Sequence, residues 1–311
     1  MRQRLFEGDH PHVATSLNGV ALCLDSLGRS AEALPKYEAA LAMRQRLFEG
    51  DHPGVAESLS YTAGCLQSLG RSAEALPKLE AGLGMYQRLF EGDHPHVMQV
   101  LSNVASCLQA LGRSAEALPK FEAALAMCQR LFRGDHPHLA GSLNQLALCL
   151  RSLGRSEEAL PRFEAALEMY QRLFEGDHPD VARGLHNVAL CLRSLGRSAE
   201  ALPKYEAALE MCRRGLPPAH PHTLYPQMGL AQTLLALGRH AEAEALLVDA
   251  AKQCERSEAC RRMHWRSVVE GSVQLYNAWH GAEPDKGYDA KATEWRAKLA
   301  PDTNEATSQP G

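Results

Sequence analysis

No stretch of this chain stays apolar for the roughly 18 residues that a membrane-spanning helix needs. The opening MRQRLFEGDH lacks the apolar core of a secretory signal, so the expected location is the cytoplasm, with no membrane partner. An excess of one charge is also missing. The 33 Lys and Arg stand against 37 Asp and Glu, a net charge of −4, so bulk electrostatics recruit neither nucleic acid nor an anionic membrane. The nine cysteines include no CxxC pair, which leaves a cysteine metal cluster without support. A phosphate-cradling glycine loop, a nucleophile elbow, HExxH and a kinase catalytic loop are all absent. The expectation is a chain that is not an enzyme and carries no cofactor and no metal.

What is present is a repeat of 42 residues. Gly-Asp-His-Pro begins at Gly8, Gly50, Gly92, Gly134 and Gly176, and Leu-Gly-Arg-Ser begins at Leu27, Leu69, Leu111, Leu153 and Leu195. A fixed period in the 20–50 range means stacked supersecondary units rather than one globular core, and such arrays bind other molecules more often than they do chemistry.

The unit Leu5–Arg46 reads as a helix pair. After Pro11, apolar residues fall at 13, 17, 20, 21, 24 and 27, which is helical spacing. Pro11 suits a first helical turn, where its missing N–H costs nothing. Either Asp9 or His10 supplies the cap. Gly28 ends the helix in a left-handed conformation. Ser30 is expected to cap the second helix, with Glu32 in its first turn favoured by the helix dipole. Pro35, recurring as Pro77, Pro119, Pro161 and Pro203, lies late enough to remove one backbone hydrogen bond and bend each second helix. Neither helix buries its apolar face alone, so the pairs must stack, with a knob at Tyr37, Leu79, Phe121, Phe163 and Tyr205. Cys23, Cys65, Cys107, Cys149 and Cys191 share one phase. Equivalent positions on stacked helices lie roughly 8–10 Å apart, beyond the about 7 Å that a disulfide allows. They read as small buried residues of a reducing compartment. The recurring histidines His10, His52, His94, His136 and His178 read as turn residues rather than zinc ligands.

Leu17, Ala21, Leu24, Gly28, Ala33, Tyr37 and Ala40 follow a pattern that resembles the tetratricopeptide repeat. The 42-residue length, the linker GDHPxVA and the helix start SLNxxA resemble its kinesin-light-chain subtype. The resemblance implies an all-α fold, a right-handed superhelical solenoid of antiparallel helix pairs. On this reading residues 1–4 end a truncated preceding helix and residues 5–256 form six repeats. The sixth is degenerate but held in phase by His220-Pro221 and Leu237-Gly238-Arg239. Residues 257–300, with Trp265, Trp279 and Trp295, form capping helices, and the polar residues 301–311 a disordered tail. Met1–Phe6 duplicates Met43–Phe48. A mid-unit start is therefore expected, with further repeats or another domain upstream, a misassigned start, or a natural exposed half-helix.

In tetratricopeptide arrays the first helices line the concave groove. The matching positions here are those of Thr15, Asn18, Gly19, Leu22 and Asp25, and the copies differ most at these positions. Arg151, Arg183, His186 and Arg193 make the later groove basic, suited to an acidic stretch of a partner; drift at solvated positions is the competing explanation. By resemblance to kinesin light chains, Asn18, Asn103, Asn144 and Asn187 would grip the backbone of an extended peptide, an amide being both donor and acceptor. The functional expectation is an interaction scaffold that binds a peptide or protein segment in its groove. The alternative is the C-terminal regulatory array of a larger signalling enzyme, since residues 273–299 resemble the ends of bacterial Ser/Thr protein kinases that carry such repeats.

Overall fold

The computed structural model describes residues 8–217 and 220–299. The expected truncated helix at 1–4 and the tail at 301–311 lie outside the described residues. Fourteen α-helices and no strand occur among the described residues. The chain divides into two compact units, Met1–Arg162 and Phe163–Gly311.

The first unit holds α1 (Pro11–Ser26), α2 (Ser30–Leu47), α3 (Pro53–Ser68), α4 (Ser72–Leu89), α5 (Pro95–Ala110), α6 (Ser114–Leu131), α7 (Pro137–Ser152) and the start of α8 (Ser156–Leu173). Here α1 packs on α2, α3 on α4 and α5 on α6, and each second helix packs on the next first helix. Small residues dominate these contacts: Ala14, Ala21, Ala33 and Ala40 have no exposed surface, nor do their equivalents Ala56, Ala63 and Ala75, while Gly82 replaces the fourth alanine in the second pair and Met98 the first in the third. The small side chains let backbones approach, and Tyr37, Leu79 and Phe121 fill the space between pairs at 2% exposure or less. Burying each such side chain contributes about 1.5–3 kcal/mol. The thiols of Cys65, Cys107 and Cys149 donate to the carbonyls of Ser30, Ser72 and Ser114, 35 residues earlier, at 3.2–3.4 Å. Cys23 departs from the expected burial and is exposed, because no second helix precedes α1 among the described residues.

The second unit continues α8 and adds α9 (Pro179–Ser194), α10 (Ser198–Gly215), α11 (Leu224–Ala236), α12 (His240–Arg256), α13 (Glu258–Ala282) and α14 (Tyr288–Ala297). Single 3-10 turns at Pro221–Thr223 and Pro284–Lys286 precede α11 and α14. Phe163 and Tyr205 are the buried knobs here, and α12, α13 and α14 pack in succession.

The turn chemistry is the same at each repeat. Gly28 has φ +73; its N–H bonds the Asp25 carbonyl and the Arg29 N–H bonds the Leu24 carbonyl. This pair of bonds satisfies the last free carbonyls of α1 and needs a residue in the left-handed region, hence glycine. The expected Ser30 cap is corrected. Arg29 occupies the N-cap of α2 without a side-chain cap, and clasps Glu32 through two 2.7 Å bonds. The Ser30 hydroxyl instead donates to the Asp25 carboxylate. The choice between Asp9 and His10 resolves to His10, whose Nδ1 accepts the His12 N–H at 3.2 Å. Asp9 is taken by Arg46, at 2.5 and 2.9 Å.

Candidate functional site

The histidines of the His-Pro turns are accounted for by capping. Nδ1 of His52, His94, His136, His178 and His220 also accepts the N–H two residues on, at 3.0–3.2 Å. A phenylalanine four residues earlier covers four of these rings, at Phe48–His52, Phe90–His94, Phe132–His136 and Phe174–His178, with centroids 3.6–4.0 Å apart. No group of three metal-ligating side chains occurs among the described residues.

In the first unit the candidate asparagines do not share one environment. Asn18 and Asn144 are buried, whereas Asn103 is half-buried and accepts a bond from Gln99 at 3.2 Å. Asn18 Nδ2 reaches Ser58 Oγ at 3.4 Å, and its Oδ1 is buried without a partner. Beside it stands a residue that the sequence reading passed over. Arg44 of α2 is buried, and its guanidinium donates to Gly54 O at 2.6 Å, Glu57 at 2.7 Å and Ser58 at 3.1 Å. Arg44 thus ties α2 to α3. Arg151 is half-buried, its Nε enclosed without a hydrogen bond.

In the second unit three of the candidates converge. Arg183, His186 and Asn187, on successive turns of α9, line one cavity of about 450 Å³ between α9, α10 and α11. Asn187 is buried, His186 half-buried and Arg183 exposed. Further walls come from Met211, Cys212 and Leu216 near the end of α10, from Tyr225 and Pro226 of α11, and from the turn residues His178 and His222. His186 meets Tyr205 and Tyr225 edge-on, at 5.5 and 6.2 Å between centroids. Arg183 pairs with Asp180 at 2.7 Å and lies 6.0 Å from the Tyr170 ring centroid. Two bonds from Arg214, at 2.6 and 2.9 Å, hold the Asp177 carboxyl below the usual carboxylate range. Burial pushes the Cys212 thiol up, so it stays protonated. Arg193 does not reach this cavity and donates to Gln232.

Met211, Cys212 and Leu216 lie at the end of a second helix, outside the first-helix positions that the resemblance assigns to the groove. The signal was present: Leu-Phe closes the second helix at Leu47-Phe48, Leu89-Phe90, Leu131-Phe132 and Leu173-Phe174, but the fifth copy reads Gly215-Leu216.

The nearly identical TPR-like repeats ascribed to a Podosopora anserina kinesin light chain match at 22% identity and TM-score 0.58, over 68% of this chain and all of that one. BtubC (BKLC) of P. vanneervenii matches at 20% and 0.58, over 67% and 84%. The Rap conjugation gene regulator of plasmid pLS20, in complex with the Phr* peptide, matches at 16% and 0.59, over 91% and 73%. These likenesses concern fold alone. No curated protein matches the sequence. The sequence model of the tetratricopeptide repeat matches at residues 1–46, 26–88, 63–130, 96–172, 138–214 and 180–256. The chain belongs to the tetratricopeptide repeat family.

Proposed function

We propose that this chain is a non-enzymatic, cytoplasmic interaction scaffold that holds a peptide or protein segment against its first helices. The observation that carries this reading is the convergence of Arg183, His186 and Asn187 on one cavity with Tyr225. Asn187 offers both donor and acceptor to a backbone, and neighbouring ring edges offer apolar contact. A rigid, preformed surface limits the ordering entropy lost on association. That a peptide occupies the similarly folded Rap regulator supports the reading by analogy of fold. Asn18, Asn103 and Asn144 would extend the contact in the first unit. An acidic stretch would find Arg151 and Arg193, while at Arg183 it would compete with Asp180.

Selection of a random peptide library on the full chain tests this. Binders are expected, weakened at least about threefold by Asn187→Ala, the loss of about one neutral hydrogen bond. If they are acidic, Arg183→Glu with Arg193→Glu should abolish them. A selection that yields no binder overturns the reading.

A further inference from the structure

The cavity beside α9 has a sequence cause. At other joints the chain fills the equivalent space itself. In the first unit Leu131 and Phe132 pack with Met127 and Leu139 on a core of Met98, Ala124 and Cys128. Phe48 packs on Leu41, Val55 and Leu59, and Arg44 occupies the same joint. Where those repeats carry Leu-Phe, the fifth carries Gly215-Leu216. Where the first, second and fourth copies carry Arg44, Tyr86 and Tyr170, the fifth carries Cys212; the third also has a cysteine there, Cys128, but keeps Leu131 and Phe132 packed over it. All of these changes remove volume. A Cβ placed on Gly215 would meet no atom within 4 Å.

The chemistry of the missing group follows from what fills the space elsewhere and from the charges nearby. The space is vacated mainly by hydrocarbon, a leucine side chain at Gly215 and the smaller difference between phenylalanine and leucine at Leu216. The charged groups at its rim are already satisfied, Arg183 by Asp180 and Asp177 by Arg214. An apolar group enters without disturbing either pair. A carboxylate would have to desolvate and take Arg183 from Asp180. The geometry points to this cavity as the anchor site for one large uncharged apolar side chain, of the leucine, methionine or phenylalanine class, on the bound segment. The inference rests on the segment-binding reading above and names the part of the partner that fixes its position.

The test fills the cavity with the chain's own residues. Gly215→Leu with Leu216→Phe restores the pair used by four other repeats, and Cys212→Tyr independently restores the residue at Tyr86 and Tyr170. Both variants of the full chain are checked for helicity and melting temperature. Peptides selected from a random 12-residue library on the unmodified chain are fluorescein-labelled and titrated by anisotropy. The expected result is one apolar residue per binder whose change to alanine weakens binding about tenfold or more. An equal loss on both filled variants and less than threefold loss for Arg183→Ala complete it. Binders that hold both filled variants as tightly as the unmodified chain would overturn the anchor and leave segment binding intact. Absence of any binder would remove segment binding and the anchor with it.

Discussion

The Phe90 ring lies almost flat on the His94 imidazole, 3.6 Å between centroids and 5° from parallel, while His94 Nδ1 accepts the His96 N–H. The stack orients the imidazole, and the accepted bond requires an unprotonated Nδ1. A proton there would convert the acceptor into a donor aimed at another donor, at a helix end where positive charge is unfavourable.

Acid should therefore loosen the joints. Burial, then the neighbouring His96, His138 or His222, holds His94, His136 and His220 below the ordinary imidazole range. Between those depressed values and the unfolded value of about 6.5, the unfolded chain binds more protons. This part of the stability is complete above about pH 6.5 and lost as pH falls. Urea unfolding should show lower stability at pH 5.5 than at pH 7.5, by well under the about 1.4 kcal/mol that one pH unit allows per titrating group. His94→Asn with His136→Asn, which caps without titrating, should flatten the dependence.

The knobs between pairs should dominate stability. Phe121 is 2% exposed, and Phe121→Ala should cost about 3–5 kcal/mol in urea unfolding. The clasp of Arg130 on Asp93, at 2.6 and 2.8 Å, leaves the arginine 58% exposed. A double-mutant cycle there should return only a small coupling, smaller still at high salt.

The prolines inside the second helices should be dispensable for the fold. Pro119 lies within α6 and is exposed. Pro119→Ala restores a backbone donor and removes a clash that costs about 3 kcal/mol in an ordinary helix. The melting temperature should rise, and a fall would show that the proline itself is needed there.

Gly229 should not tolerate a side chain. A Cβ there would stand 2.3 Å from the Tyr205 ring, which is itself fully buried. Gly229→Ala should force α11 away from α10, cost about 1–3 kcal/mol, and weaken any ligand of the neighbouring cavity.

Period and local spacing were enough to assign the helix pairs, their left-handed glycine ends and the buried knobs, because these depend on residues within one or two turns. The caps were not legible. Asp9 and His10 can each accept a bond from the first turn, and what decides is Arg46, 37 residues away, which takes Asp9. Ser30 is a natural cap by type, but the close of α1 brings Asp25 within reach of its hydroxyl and leaves the cap position to Arg29. Of the eight candidate groove residues, three share a cavity, while Asn103 is bonded along its own helix and Arg193 to Gln232.

The sequence by itself determined the family, the helix boundaries to within a residue or two and the positions at which the copies differ, since a near-exact repeat states each local rule several times. Only the tertiary structure decided which charges are already spent and where volume is missing. Asp177 reads as a free carboxylate until Arg214, 37 residues on, is seen clasping it. Gly215 reads as a lapse in a pattern until α9, α10 and α11 are brought together around it. Charge neutralisation and empty space are properties of neighbours, and neighbours exist only once the helices have packed.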